Sequence, residues 1–140
     1  MELQGRSILI IEDEPIIAFD AATALYDEGA QVGIANTLAK AWTLLEQQPW
    51  SAALIDLSLI TGTNDIFCAE LRKRDIPFAL LSGFPDPQNG RGDIPYLQKP
   101  YPISELVRTL AKLAARLLTQ PPPGSDLETI PTRHWRDADR

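Results

Sequence analysis

Short apolar runs alternate along the chain with stretches in which apolar residues recur at helical spacing. The runs are Ser7–Ile11, Gln31–Ala35, 52–55, 78–81 and Tyr96–Gln98. Such alternation predicts repeated strand-helix-strand units and therefore an α/β fold built on a parallel sheet. The first, third and fourth runs are apolar at consecutive positions, which requires helices over both faces of the sheet. The first helix is predicted to begin near Pro15, a favourable first-turn residue, and to stop at Gly29. The second spans 38–47 behind Asn36 or Thr37, and the third spans 65–74 behind Thr63 or Asn64. The last spans 102–118, where Ile103, Leu106, Val107, Leu110, Leu113, Ala114 and Leu117 form one stripe.

Two segments break the rhythm. Residues 83–93 carry prolines, glycines and polar side chains without a helical stripe, so the fourth crossover is expected to be a loop or a single turn. After residue 120 the composition turns to Pro121-Pro122-Pro123-Gly124 and then to polar residues. The expected organisation is one domain over 1–120 and a proline-rich flexible tail over 121–140.

Composition narrows the function. With 19 acidic against 13 basic residues, the chain lacks the basic balance that nucleic-acid binding usually needs. Cys68 is the single cysteine, so no internal disulfide can form and a reducing compartment fits. The few apolar residues before Glu12 and Asp13 are too short a run for a leader or a membrane span. These features predict a soluble cytoplasmic protein.

The chemistry lies at the strand ends. Glu12 and Asp13 close the first run, Asp56 closes the third, Ser82 follows the fourth and Lys99 follows the fifth. In parallel sheets these carboxyl ends are where ligands bind. Glu12, Asp13 and Asp56, with the backbone carbonyl of Ser58, offer hard oxygen ligands for one Mg²⁺. Lys99 and the Ser82 hydroxyl can reach the oxygens of a phosphoryl group held there, and Asp56 can act as its nucleophile. Gathering the three acids should raise at least one carboxyl pKa.

The pattern Ile-Ile-Glu12-Asp13-Glu14-Pro15, Leu-Ile-Asp56, Leu-Leu-Ser82-Gly83 and Gln-Lys99-Pro100-Tyr101 resembles the CheY-like receiver domain of bacterial response regulators, over about residues 6–118. The resemblance implies a flavodoxin-like sheet of five parallel strands in the order 2-1-3-4-5. It also implies phosphorylation of Asp56 by a histidine kinase or phosphotransfer protein, a cis bond before Pro100, and a switch made of Ser82 and the strand aromatic Tyr96. Two departures stand out. Ile60 replaces the proline usual four residues after the phosphoacceptor. The Ser82-Gly83-Phe84 segment and the shortened or missing fourth helix look like the single-domain subgroup with a Phe-Ala-Thr-Gly motif, although Leu80 and Leu81 replace its first two residues.

On the first helix, Ile17, Ala21, Ala24 and Leu25 are expected to face the sheet. Ile16, Phe19 and Tyr26 then form a second apolar strip, suited to kinase docking or to a second copy of the chain. Cys68 is expected to be a packed, inert thiol, and His134 and Trp135 to lie in the tail without a site role. The resulting expectation is a stand-alone response regulator that signals to a downstream protein, without a multiple-turnover substrate. A phosphorylation-independent binding module is the alternative. An aspartyl phosphatase of the haloacid dehalogenase type is a further one, but it needs an aspartate where Ser58 stands.

Overall fold

The computed structural model describes residues 1–62, 65–85 and 94–119, with side chains to residue 116. Strands β1 (Ser7–Ile11), β2 (Gln31–Ala35), β3 (Ala52–Asp56), β4 (Phe78–Ser82) and β5 (Tyr96–Gln98) form one sheet in the order β2-β1-β3-β4-β5. Every pairing is parallel. Four helices accompany them: α1 (Pro15–Asp27), α2 (Leu38–Leu45), α3 (Ile66–Lys73) and α4 (Ile103–Thr119), with a 3-10 turn at Leu57–Leu59. This is the flavodoxin-like topology expected from the sequence. β3 and β4 each run one residue further than the apolar pattern suggested, because Asp56 and Ser82 still pair, with Leu81 and Gln98.

The period of two along the strands sorts the core into two layers. Ile8, Ile10, Leu54 and Leu81 pack with α1 and α4 on one face of the sheet. Leu9, Ile11, Ile55 and Leu80 pack with α2 and α3 on the other. There the edge of one ring meets the face of another between Trp42 and Phe67, with centroids 5.1 Å apart. Cys68 is fully buried in this layer, and burial pushes its thiol up to about 11, which keeps it protonated and unreactive. No helix among the described residues is long and apolar enough to cross a membrane.

Several local expectations are corrected. The α3 cap is Asp65, whose carboxylate accepts from Phe67 N at 2.7 Å and from Thr61 N at 3.1 Å. Thr63 and Asn64 lie outside the described residues, as do 86–93 and the tail with His134 and Trp135. On α1 it is Ala18, with Ala21 and Leu25, that is buried; Ile17 and Ala24 are half-buried at the edges of the stripe. On α4, Ile103 is exposed, whereas Leu106, Leu110, Leu113 and Ala114 are buried. Residues 83–85 and 94–95, the described ends of the fourth crossover, contain no helix.

Ile60 has φ −127°, and its N–H donates to the Leu57 carbonyl at 3.2 Å. A proline there could supply neither, so the loop after Asp56 follows a path the substituted residue makes available.

Gly29 ends the first crossover at φ +100°, a region that L side chains rarely adopt, and an added Cβ would stand 2.8 Å from the Gln4 Cα. Gly29→Ala should therefore cost roughly 1–3 kcal/mol of stability, measured by urea unfolding. An unchanged midpoint would show that this turn relaxes freely.

Candidate functional site

The strand order reverses between β1 and β3, the two central strands that start crossovers to opposite sides. Ile11 pairs with Ile55, so the residues that follow each, Glu12 and Asp56, emerge side by side at the carboxyl edge. Ser82 ends β4 on the far side of Asp56. Lys99 follows β5 and extends the ladder, donating its N–H to the Ser82 carbonyl at 2.7 Å. The sheet register thus brings Glu12, Asp13, Asp56, Ser82 and Lys99 to one edge.

Glu12 and Asp56 are buried, at 1% and 4% exposure, while Asp13 is exposed. Each of the three acids offers a carboxylate oxygen, and these lie within 4.8 Å of one another. The Lys99 ammonium stands 3.0 Å from Asp56 Oδ2, 3.0 Å from Glu12 Oε1 and 3.3 Å from Glu14 Oε1. Asp56 Oδ1 accepts from both the N–H and the hydroxyl of Ser58, each at 2.9 Å. The sequence had assigned Ser58 only a backbone carbonyl; its amide and side chain prove to be the groups that orient Asp56.

Glu12 Oε2 accepts from Glu14 N at 3.0 Å, but buried Oε1 has no hydrogen-bond donor, although Lys99 lies at ion-pair distance. An acceptor left in that condition is costly unless a cation completes it. Together with hard carboxylate donors of this spacing, it fits Mg²⁺.

The electrostatics follow from burial. Glu12 is pushed up to about 7, first by burial and further by the neighbouring Asp56, against the N–H of Glu14 and the Lys99 charge. Burial alone would raise Asp56 too. Hydrogen bonds from Ser58, Lys99 and the Glu12 carboxyl outweigh it and hold Asp56 below the ordinary aspartate value. Lys99 is raised well above the ordinary lysine range because its contacts with Asp56 and Glu12 overcome its own burial. A protonated Glu12 beside an ionised Asp56 is the outcome expected of two acids sharing one dry edge.

Other predicted residues take more specific positions. Ser82 Oγ is buried and accepts from Phe84 N at 3.1 Å, a contact within its own loop. Tyr96 is half-buried, with its hydroxyl donating to the Phe84 carbonyl at 2.7 Å. The Lys99-Pro100 bond is cis. Ile16, Phe19 and Tyr26 are 76%, 67% and 69% exposed on α1. Glu14 is a site residue missed in the sequence. The acidic triplet at 12–14 was its signal, obscured because its position also reads as a helix cap.

No family model matches the chain. It is 28% identical to the transcriptional regulatory protein TcrA of Mycobacterium tuberculosis, over 96% of this chain and 58% of that one. The chain thus spans 58% of the length of the curated relatives it matches. A response regulator receiver protein from Sinorhizobium medicae is 26% identical, with a TM-score of 0.66 over 80% of this chain and 96% of that one. The receiver domain of the Pseudomonas aeruginosa sensor histidine kinase PA1611, with magnesium coordinated in its active-site cleft, is also 26% identical; its TM-score is 0.63 over 79% of this chain and 98% of that one.

The raised Glu12 has a measurable consequence. In the unfolded chain it loses its proton near 4.5, in the folded protein near 7, so the folded state holds the extra proton between them. Its contribution to stability is complete below about pH 4.5 and is lost as pH rises through 7. The lowered Asp56 titrates below 3.8, outside that window. The stability gap between metal-free wild type and Glu12→Gln should shift against the wild type across pH 4.5–7 in urea melts. A pH-independent gap would refute this assignment.

Five parallel strands in this order and the acid-lysine arrangement at their carboxyl ends, with these similarities, give the chain the fold of CheY-like response regulator receiver domains, which it resembles in sequence and structure.

Proposed function

We propose that this receiver accepts a phosphoryl group on Asp56 from a histidine kinase or phosphotransfer protein and signals through contacts with other proteins. The observation that carries the reading is the Asp56 carboxylate: buried, ionised, hydrogen-bonded to Lys99 at 3.0 Å and flanked by Glu12 and Asp13.

The residues divide the work. An Asp56 oxygen attacks phosphorus, and the bond to the donor's nitrogen or acyl oxygen breaks, its electron pair leaving with the donor. The Ser58 N–H and hydroxyl fix the rotation of the attacking carboxylate. Lys99 offers positive charge to the transferring oxygens, and Ser82 offers a hydroxyl from the next strand. Glu12, Asp13 and Asp56 are the side chains that would hold Mg²⁺, which supplies charge neutralisation and orientation for in-line transfer. In this reading the Tyr96–Phe84 contact is the element the switch rearranges, because it couples β5 to the segment that follows Ser82 and donates to its hydroxyl oxygen. The exposed strip of Ile16, Phe19 and Tyr26 along α1, which starts next to Glu12 and Asp13, is the surface offered to the phosphodonor protein.

Turnover of an external phosphate ester is disfavoured by Ser58. Both of its polar groups donate to Asp56, and no carboxyl stands there to shuttle a proton to a leaving group.

With millimolar-range Mg²⁺, acetyl phosphate should label the wild type and leave Asp56→Asn unlabelled; label retained in that variant would end the proposal. Mg²⁺ should also raise the melting temperature, more at pH 8 than at pH 6 because binding must displace the Glu12 proton. Equal melting curves with and without the ion would argue against the metal site.

A further inference from the structure

Lys99 carries three N–H donors, and three carboxylates surround it: Asp56, Glu12 and Glu14. Its charge is thus fully engaged before any phosphoryl group arrives. One partner must give way, and burial decides which. The side chains of Glu12 and Asp56 are 0% and 5% exposed, so taking Lys99 from either would leave a buried polar group without its partner, a costly state. The Glu14 side chain is 60% exposed and can be rehydrated almost without penalty. It is also the partner on the solvent side of Lys99, where a phosphodonor must approach.

Glu14 serves the local fold through its backbone, whose N–H donates to Glu12 Oε2 and whose carbonyl accepts from Ala18 N, and its side chain has no capping role. It occupies the N-cap position of α1, at φ −89° and ψ 112°, but its side chain makes no capping hydrogen bond. Its carboxylate instead crosses to Lys99, 85 residues away in sequence.

We propose that Glu14 is a positioning residue that holds Lys99 in reserve and competes with the incoming phosphoryl group for it, setting how fast Asp56 is phosphorylated. The inference rests on the phosphoryl-acceptor reading above. It adds a resting partner for Lys99 that slows transfer until a donor displaces it.

Two variants test it. Glu14→Gln keeps the length and removes the charge. Glu14→Asp keeps the charge but is one methylene too short to hold the contact. At saturating Mg²⁺ and low salt, both should raise the initial rate of Asp56 labelling by acetyl phosphate roughly two- to fivefold. The gain should shrink in about 0.5 M KCl, where exposed charges are screened. In metal-free protein labelled with ¹⁵N-lysine, the Lys99 Nζ resonance should move in both variants.

Unchanged or lowered rates in both variants would overturn the proposal. A gain in Glu14→Gln alone would also overturn it, by showing a general charge effect and no grip on Lys99. So would an unmoved Nζ resonance. A wild type that takes no label at Asp56 removes the phosphoryl-acceptor reading itself and this inference with it. A labelled wild type beside variants of equal rate removes this inference only.

Discussion

Two acidic side chains, Glu12 and Asp56, are forced out of water at the carboxyl ends of neighbouring central strands, and the chain must compensate them. Like charges in a dry site resist joint ionisation, so one carboxyl keeps its proton and the other keeps its charge. Lys99 arrives from the end of the fifth strand to neutralise what remains. The rest of the molecule can be understood as the scaffold that makes this expensive arrangement unavoidable. The central strands are buried on both faces, and their parallel register allows their last residues no other direction.

That scaffold is inexpensive to encode. Residues alternating along each strand supply two apolar layers, and four helices cover them. The stability gained by burying so many aliphatic side chains supports a strained polar edge, as is common where function opposes local stability. The same logic explains why Asp56 is tethered by Ser58. A carboxylate held by two hydrogen bonds to one oxygen presents the other in a defined direction. It also explains the layered partnership around Lys99, which two buried carboxyl groups hold from the sheet edge and one exposed carboxylate holds from solvent.

The neighbouring loops join this edge to the rest of the surface. Ser82 and Tyr96 both contact Phe84, through its N–H and its carbonyl, so that short segment links the fourth and fifth strands beside the acidic site. Phe84 itself is 77% exposed. Ile60 shapes the loop after Asp56 through an N–H bond that proline could not make. The departures from the common receiver pattern thus fall on the loops around the site and leave the arrangement of acids and lysine intact.

The local pattern of the chain determined much of this. Strand runs, helix stripes and the acids at run ends depend on residues close together in sequence, so the five strands, four helices and the positions of Glu12, Asp13, Asp56 and Lys99 were legible from it. Errors arose where a choice depended on distant groups. Ala18 and not Ile17 is buried because helix rotation is set by packing, and Ile103 is exposed although it continues the stripe of buried Leu106 and Leu110. Asp65 caps α3 through a loop conformation that composition does not reveal. Only the tertiary structure decided which carboxyl keeps its proton, that Ser58 donates to Asp56, and that Glu14 reaches Lys99. Those outcomes depend on burial and on ångström distances between segments far apart in the chain, and no local pattern encodes them.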